Sequence, residues 1–163
     1  MRTLTLLVVA TVFLALAAEA LGLPPFTTAR KTSPPHGAQA ELFAIATGCH
    51  AKFDRVVVRA RFGTPGYDVR YVKRVIADPS GRRVRLLGKK RILIVLRNAR
   101  GHTQGGTTLL ASVTTPLCPN LRQVKLAGDF EGVVSLGLGL RRRTGFRVFR
   151  LTGPTRVVVD VAH

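Results

Sequence analysis

Tryptophan is absent from this 163-residue chain, and only 6% of its residues are aromatic. A core must therefore be built mostly from Val, Leu and Ile. Acidic side chains are also scarce: 8 Asp and Glu face 26 Lys and Arg, giving a formal charge of +18. Histidine is thinly spread, with His36, His50, His102 and His163 far apart along the chain. Metal sites need several ligands brought together, and this spacing supplies none, so neither a metal nor a cofactor is expected. Cys49 and His50 are neighbours, but adjacent residues in a strand point to opposite faces. No nucleophile-elbow motif occurs, which removes the commonest signature of an acyl-transfer enzyme. After the first twenty residues, no apolar run is long enough to cross a membrane.

What the chain does have begins at its first residue. Met1-Arg2-Thr3 is followed by about fifteen apolar or neutral residues from Leu4 to Ala18, then Ala18-Glu19-Ala20. One charge, a short apolar stretch and small residues at alternate positions make a secretory signal helix, cleaved after about Ala20. Its alternative is an uncleaved anchor, but the run falls short of the roughly twenty apolar residues a permanent span requires. The mature protein is therefore expected outside the cytoplasm. In an oxidising compartment the even pair Cys49 and Cys118 is most simply a disulfide, with two separate buried thiols as the alternative. Closing so long a loop contributes roughly 4 kcal/mol on the chain-entropy account.

Residues 21–40 carry Pro24-Pro25 and Pro34-Pro35 among Thr, Ser and Gly, and are read as a flexible leader. Residues 41–163 read as strands. Val56, Val58, Ala60 and Phe62 fall on one side of a period-two pattern, with Arg55, Val57, Arg59 and Arg61 on the other. Ile92-Leu93-Ile94-Val95-Leu96 has the continuous apolar character of a strand buried on both faces. A loop is expected from about Asn98 to Asn120. Beyond it, Val134, Leu136, Leu138 and Leu140 alternate with Ser135, Gly137 and Gly139, small residues that let something approach closely. Phe146–Leu151 and Arg156–Val161 form a hairpin. With no helix signal after the signal segment, the class is all-β: a small β-sandwich or a partly open barrel.

The terminal hairpin resembles the last motif of AMIN domains, β-sandwich modules on bacterial envelope proteins. The closer similarity is to the AMIN-like domain family of exported bacterial proteins. It extends to Phe53-Asp54-Arg55-Val56-Val57, Gly66-Tyr67-Asp68-Val69, Asp78-Pro79-Ser80-Gly81 and Gly128-Asp129-Phe130-Glu131-Gly132-Val133-Val134. Four such motifs in order cover about Leu42 to His163. The resemblance implies a β-sandwich in the cell envelope, with peptidoglycan as the proposed ligand of AMIN domains, and it supplies no catalytic residues.

The residues themselves point the same way. Arg55, Arg59 and Arg61 would form a basic stripe on one strand face, and Arg141-Arg142-Arg143 a basic turn before the hairpin. Planar guanidiniums grip carboxylates and phosphates with paired hydrogen bonds, so these six are the expected binding residues. Peptidoglycan or an anionic wall polymer is the expected partner. No nucleic-acid partner is expected: export makes it the least favoured anion, and few aromatics interleave the cations. Two other readings stand beside this non-catalytic one. Asp129 and Glu131, at spacing i, i+2, would be the acids of an exported wall-glycan hydrolase. Otherwise an exposed strand edge would recruit another envelope protein. Processing is directly checkable: N-terminal sequencing of exported material should start near Leu21, and recovery of Met1 there would restore the anchor.

Overall fold

Strict alternation around Val56 fixes the strand that contains it. Val56, Val58 and Ala60 are buried, whereas Arg59 and Arg61 are exposed. The computed structural model of the protein describes residues 22–163, so the expected signal helix, 1–20, lies outside the described residues. In chain order the strands are β1 (Lys31–Ser33), β2 (His36–Cys49), β3 (Phe53–Thr64), β4 (Gly66–Tyr71), β5 (Val75–Ile76), β6 (Arg83–Val84) and β7 (Lys90–Arg97). They continue with β8 (Ala99–Arg100), β9 (Val113–Thr114), β10 (Leu121–Phe130), β11 (Val133–Leu140), β12 (Phe146–Leu151) and β13 (Thr155–Ala162). The class is all-β, as the alternation predicts.

Two open sheets face each other, one ordered β1-β4-β7-β11-β10-β9 and the other β12-β13-β3-β2-β8. Neither closes on itself, which decides for a sandwich over a barrel. Ile92, Ile94 and Leu96 of β7 and Leu136, Leu138 and Leu140 of β11 share one core with Val56 and Val58 of β3 and Val157, Val159 and Val161 of β13. Phe146 is the largest fully buried side chain, its ring edge-on to Tyr71 with centroids 5.7 Å apart. Cys49 and Cys118 are joined as a disulfide, with Cα atoms 5.3 Å apart.

A third layer explains the glycines of β11. The hairpin β5–β6 and the segment after it pack on the outer face of the first sheet, burying Val75 and Leu86 against Ala127 with Leu93 beside them. A Cβ on Gly137 would meet Leu86, and one on Gly139 would land on the carbonyl oxygen of Leu87. The space anticipated beside these glycines is filled by the chain's own segment 86–88. The cover only half-buries the second face of β7, where Leu93 and Val95 stay partly exposed, so the strand is fully buried on one face alone.

Three expectations need correction. The leader is no free tether between 27 and 40. Thr27 exchanges backbone hydrogen bonds with Phe146 of β12, and Lys31–Ser33 pair with Val69–Tyr67 of β4. The segment thus straps one sheet to the other, and β2 starts already at His36. The prolines break the pairing into short pieces without preventing it, because Pro24-Pro25 and Pro34-Pro35, which have no backbone donor, fall outside the paired residues Thr27 and Lys31–Ser33. Phe62 does not join Val56, Val58 and Ala60. Its φ of 70° and the register shifts between β2 and β3 turn it outward, leaving it 71% exposed. The expected loop 98–120 holds β8, β9 and a buried Leu110.

Replacing Gly139 by Ala should cost about 1–3 kcal/mol, since segment 86–88 must move off a backbone contact. Urea unfolding would measure this, with Gly105→Ala as a near-neutral control because a Cβ there touches nothing closer than 3.8 Å.

Candidate anion-binding site

The scarce acids are placed before any site can be. Glu41, Asp54, Asp68 and Asp160 are all buried. Asp160 accepts from both Arg55 (2.6 and 2.9 Å) and Arg147 (2.8 Å). Glu41 accepts from Arg61 (2.7 Å) and Arg100 (3.0 Å). Asp68 is held by the fork of Arg30 and lies 2.7 Å from Arg70. Each of these three carboxylates therefore takes two guanidiniums, the arrangement that keeps a buried charge compensated. Hydrogen bonding to Arg61 holds the Glu41 carboxyl below its usual range, against burial and with help from Arg100. At Asp68 burial acts upward most strongly, yet the hydrogen bonds and charges of Arg30 and Arg70 together win and lower it.

Of the expected stripe, Arg55 is thus committed to Asp160 and Arg61 to Glu41. Of these three, only Arg59 has no ion pair among the described residues. Arg147 and Arg55 stand opposite Asp160 on the two flanking strands, whereas Arg150 donates to the carbonyls of Pro34 and Pro65. The second basic cluster sits elsewhere. Asn98 binds Ala40, placing Arg61 by the Arg97 end of β7. Asn120 binds Ala162 and the Arg142 amide, placing residues 141–143 beyond the opposite end of β3. The six arginines therefore do not form one surface.

Asn120 is the hub that fixes this second end. Asp54 accepts from the Asn120 and Leu121 amides, both at 2.7 Å. The Asn120 carbonyl then accepts from the Arg141 amide, and its side-chain oxygen from the Arg142 amide. Cys118, two residues before Asn120, is tied by the disulfide. The basic turn is consequently held by backbone contacts while its side chains point away, all three exposed.

Two adjoining clefts open there. One, about 310 Å³, is lined by Tyr71, Lys73, Lys89, Lys90, Arg91 and Arg143, with Val72 in its wall. The other, about 410 Å³, shares Lys89 and adds Leu87, Arg122 and Arg141. Seven cations line the pair and no carboxylate does, nor is any of the seven in an ion pair among the described residues. The Arg143 guanidinium lies 4.4 Å from the Tyr71 ring centroid, which orients it. Arg142 stays outside the lining. Sequence reading reached Arg141 and Arg143 but missed the three lysines, Arg91 and Arg122, which lie on separate segments that only the fold assembles.

The two acids of the hydrolase reading are set apart in role. Asp129 accepts from the Gly101 amide at 3.1 Å and contacts His102 Nδ1 at 2.7 Å. Glu131 is the first of two positive-φ residues in the two-residue turn between β10 and β11, exposed to solvent. Cys49, Asp54 and Cys118 lie close enough to hold a metal, but both sulfurs are spent on the disulfide.

The profile of the AMIN-like domain family matches residues 40–163, three quarters of the chain and every strand from β3 to β13. The chain belongs to the AMIN-like domain family. The family places it among envelope-associated domains that are generally non-catalytic. Comparison with curated proteins and with solved structures finds no match.

Because the folded-state carboxyls of Glu41 and Asp68 are held low, the unfolded chain takes up their protons first as pH falls. Their stabilisation is full above the ordinary carboxylate range and is lost on acidification through about pH 4 and below. Urea midpoints measured from pH 7 to 3 should fall over that window, and a Glu41→Gln/Asp68→Asn variant should show a shallower decline.

Proposed function

We propose that this AMIN-like domain is an exported, non-catalytic module that binds an anionic component of the bacterial wall. The observation that carries this reading is the end cleft, where seven cations gather and no acid answers them. Self-repulsion makes such a cluster unfavourable in the free protein, and a bound polyanion relieves it. Exposed contacts of this kind are worth roughly 0–1 kcal/mol each, so affinity comes from their number. The acids that a hydrolase would use are occupied or exposed at a turn, which supports a binding role.

Isolated walls provide the test. Purified domain should sediment with them at about 0.1 M salt and be released as the screening length shrinks towards about 3 Å at 1 M. An Arg141→Gln/Arg143→Gln variant should bind several-fold more weakly with a thermal midpoint no lower than the parent's, whereas Arg59→Gln, away from the cleft, should change binding little. Salt-independent sedimentation, or equal binding by the cleft variant, would remove the reading. A zymogram with wall glycan tests the competing hydrolase, and activity lost in Glu131→Gln would establish it.

A further inference from the structure

Deepening that reading, we infer that the paired clefts take a phosphodiester-linked polyanion in preference to the peptide carboxylates or the glycan of the wall. The protein itself shows how it holds carboxylates. Asp160 and Glu41 each lie between two arginines of neighbouring strands, with the guanidinium forks meeting the planar group directly. A carboxylate offers its oxygens in one plane, and that geometry satisfies it.

The end cleft is built differently. Its cations come from three segments: Lys73 after β4, Lys89 to Arg91 at the start of β7, and Arg141 and Arg143 after β11. Arg122 adds a fourth approach from β10. Three of the seven are lysines, compact point charges with rotatable donors rather than fixed forks. Charges converging from several sides suit a tetrahedral group that presents oxygens in several directions.

Hydrogen-bond capacity narrows the ligand further. The charged side chains of the lining donate and cannot accept. Three acceptors beside the lining already have partners. Tyr71 oxygen accepts from the Thr144 amide and donates to its carbonyl. The Arg91 carbonyl accepts from Val72, and the Leu140 carbonyl from Lys89. Glycan hydroxyls and peptide amides would bring donors that none of the seven charged side chains can receive. A phosphodiester is acceptor-only and ionised at every pH the protein meets. Because Lys89 belongs to both clefts, successive phosphates of one chain can occupy them together.

The probe is a synthetic poly(glycerol phosphate) of about ten repeats, compared by titration with poly-glutamate of matched charge and with soluble peptidoglycan fragments. Poly(glycerol phosphate) should bind at least tenfold more tightly than either. Lys89→Gln/Lys90→Gln should lose most of that preference while keeping the thermal midpoint and the intact disulfide. Equal affinity for poly-glutamate, or tight binding by the double variant, would overturn the inference. Walls stripped of phosphate polymers separate it from the broader reading. If they bind the domain as well as intact walls do, wall binding stands and the phosphate preference falls. If the synthetic polymer binds but no wall preparation does, the cleft chemistry stands and the wall assignment falls.

Discussion

The interaction on which the rest depends is the buried carboxylate between two guanidiniums. A chain with this excess of arginine could scatter its few acids over the surface as weak, screened pairs. Instead Asp160 ties β13 to β3 and β12, Glu41 ties β2 to β3 and β8, and Asp68 ties β4 to the strap that carries Arg30. Each acid becomes a cross-strand rivet that one missing partner would turn into an uncompensated charge. The consequence reaches beyond stability. With the acids drawn into the sandwich, the cations at its far end have no counter-charge of their own.

That end is positioned by small residues and a single asparagine. Gly137 and Gly139 let segment 86–88 lie flat on β11, and Gly88, at φ +91°, brings the chain against Leu140. Leu87 is pinned there through its amide to Gln123. Lys89, Lys90 and Arg91 follow immediately, so their place beside residues 141–143 is set by backbone contacts rather than by side-chain packing. Asn120 performs the same service for Arg141 and Arg142 from the other side, backed by Asp54 and the disulfide. The proposed binding surface is therefore tied down through its backbone, with the side chains of residues 141–143 exposed.

Sequence reading captured what depends on local periodicity. The β3, β7, β11 and β12–β13 strands, their core faces and the all-β class were legible because alternation reports burial directly. The strap was not, since two proline pairs look like a tether unless one sees that Lys31 to Ser33 need only three ladder positions on β4. Phe62 was misplaced because a bulge shifts the period by one residue and leaves no mark in the alternation. The stripe Arg55, Arg59 and Arg61 was legible as a face but not as a site. Alternation shows which way an arginine points, and only pairing across strands shows which acid it meets.

The same limit explains the cleft. Its cations are drawn from positions 73 to 143, and no spacing rule links Lys73 with Lys89 or Arg122 with Arg141. Two of them stood out only because three arginines in a row attract notice. Net charge was informative in a way that individual motifs were not. It required that many cations be unpaired, and burial of the acids then decided where. In a fold of this kind the useful question is which cations the buried acids leave unanswered. Here seven of them meet at one end of the sandwich, in a wall whose charged side chains donate and cannot accept, and a repeating polyanion is the ligand we propose for it.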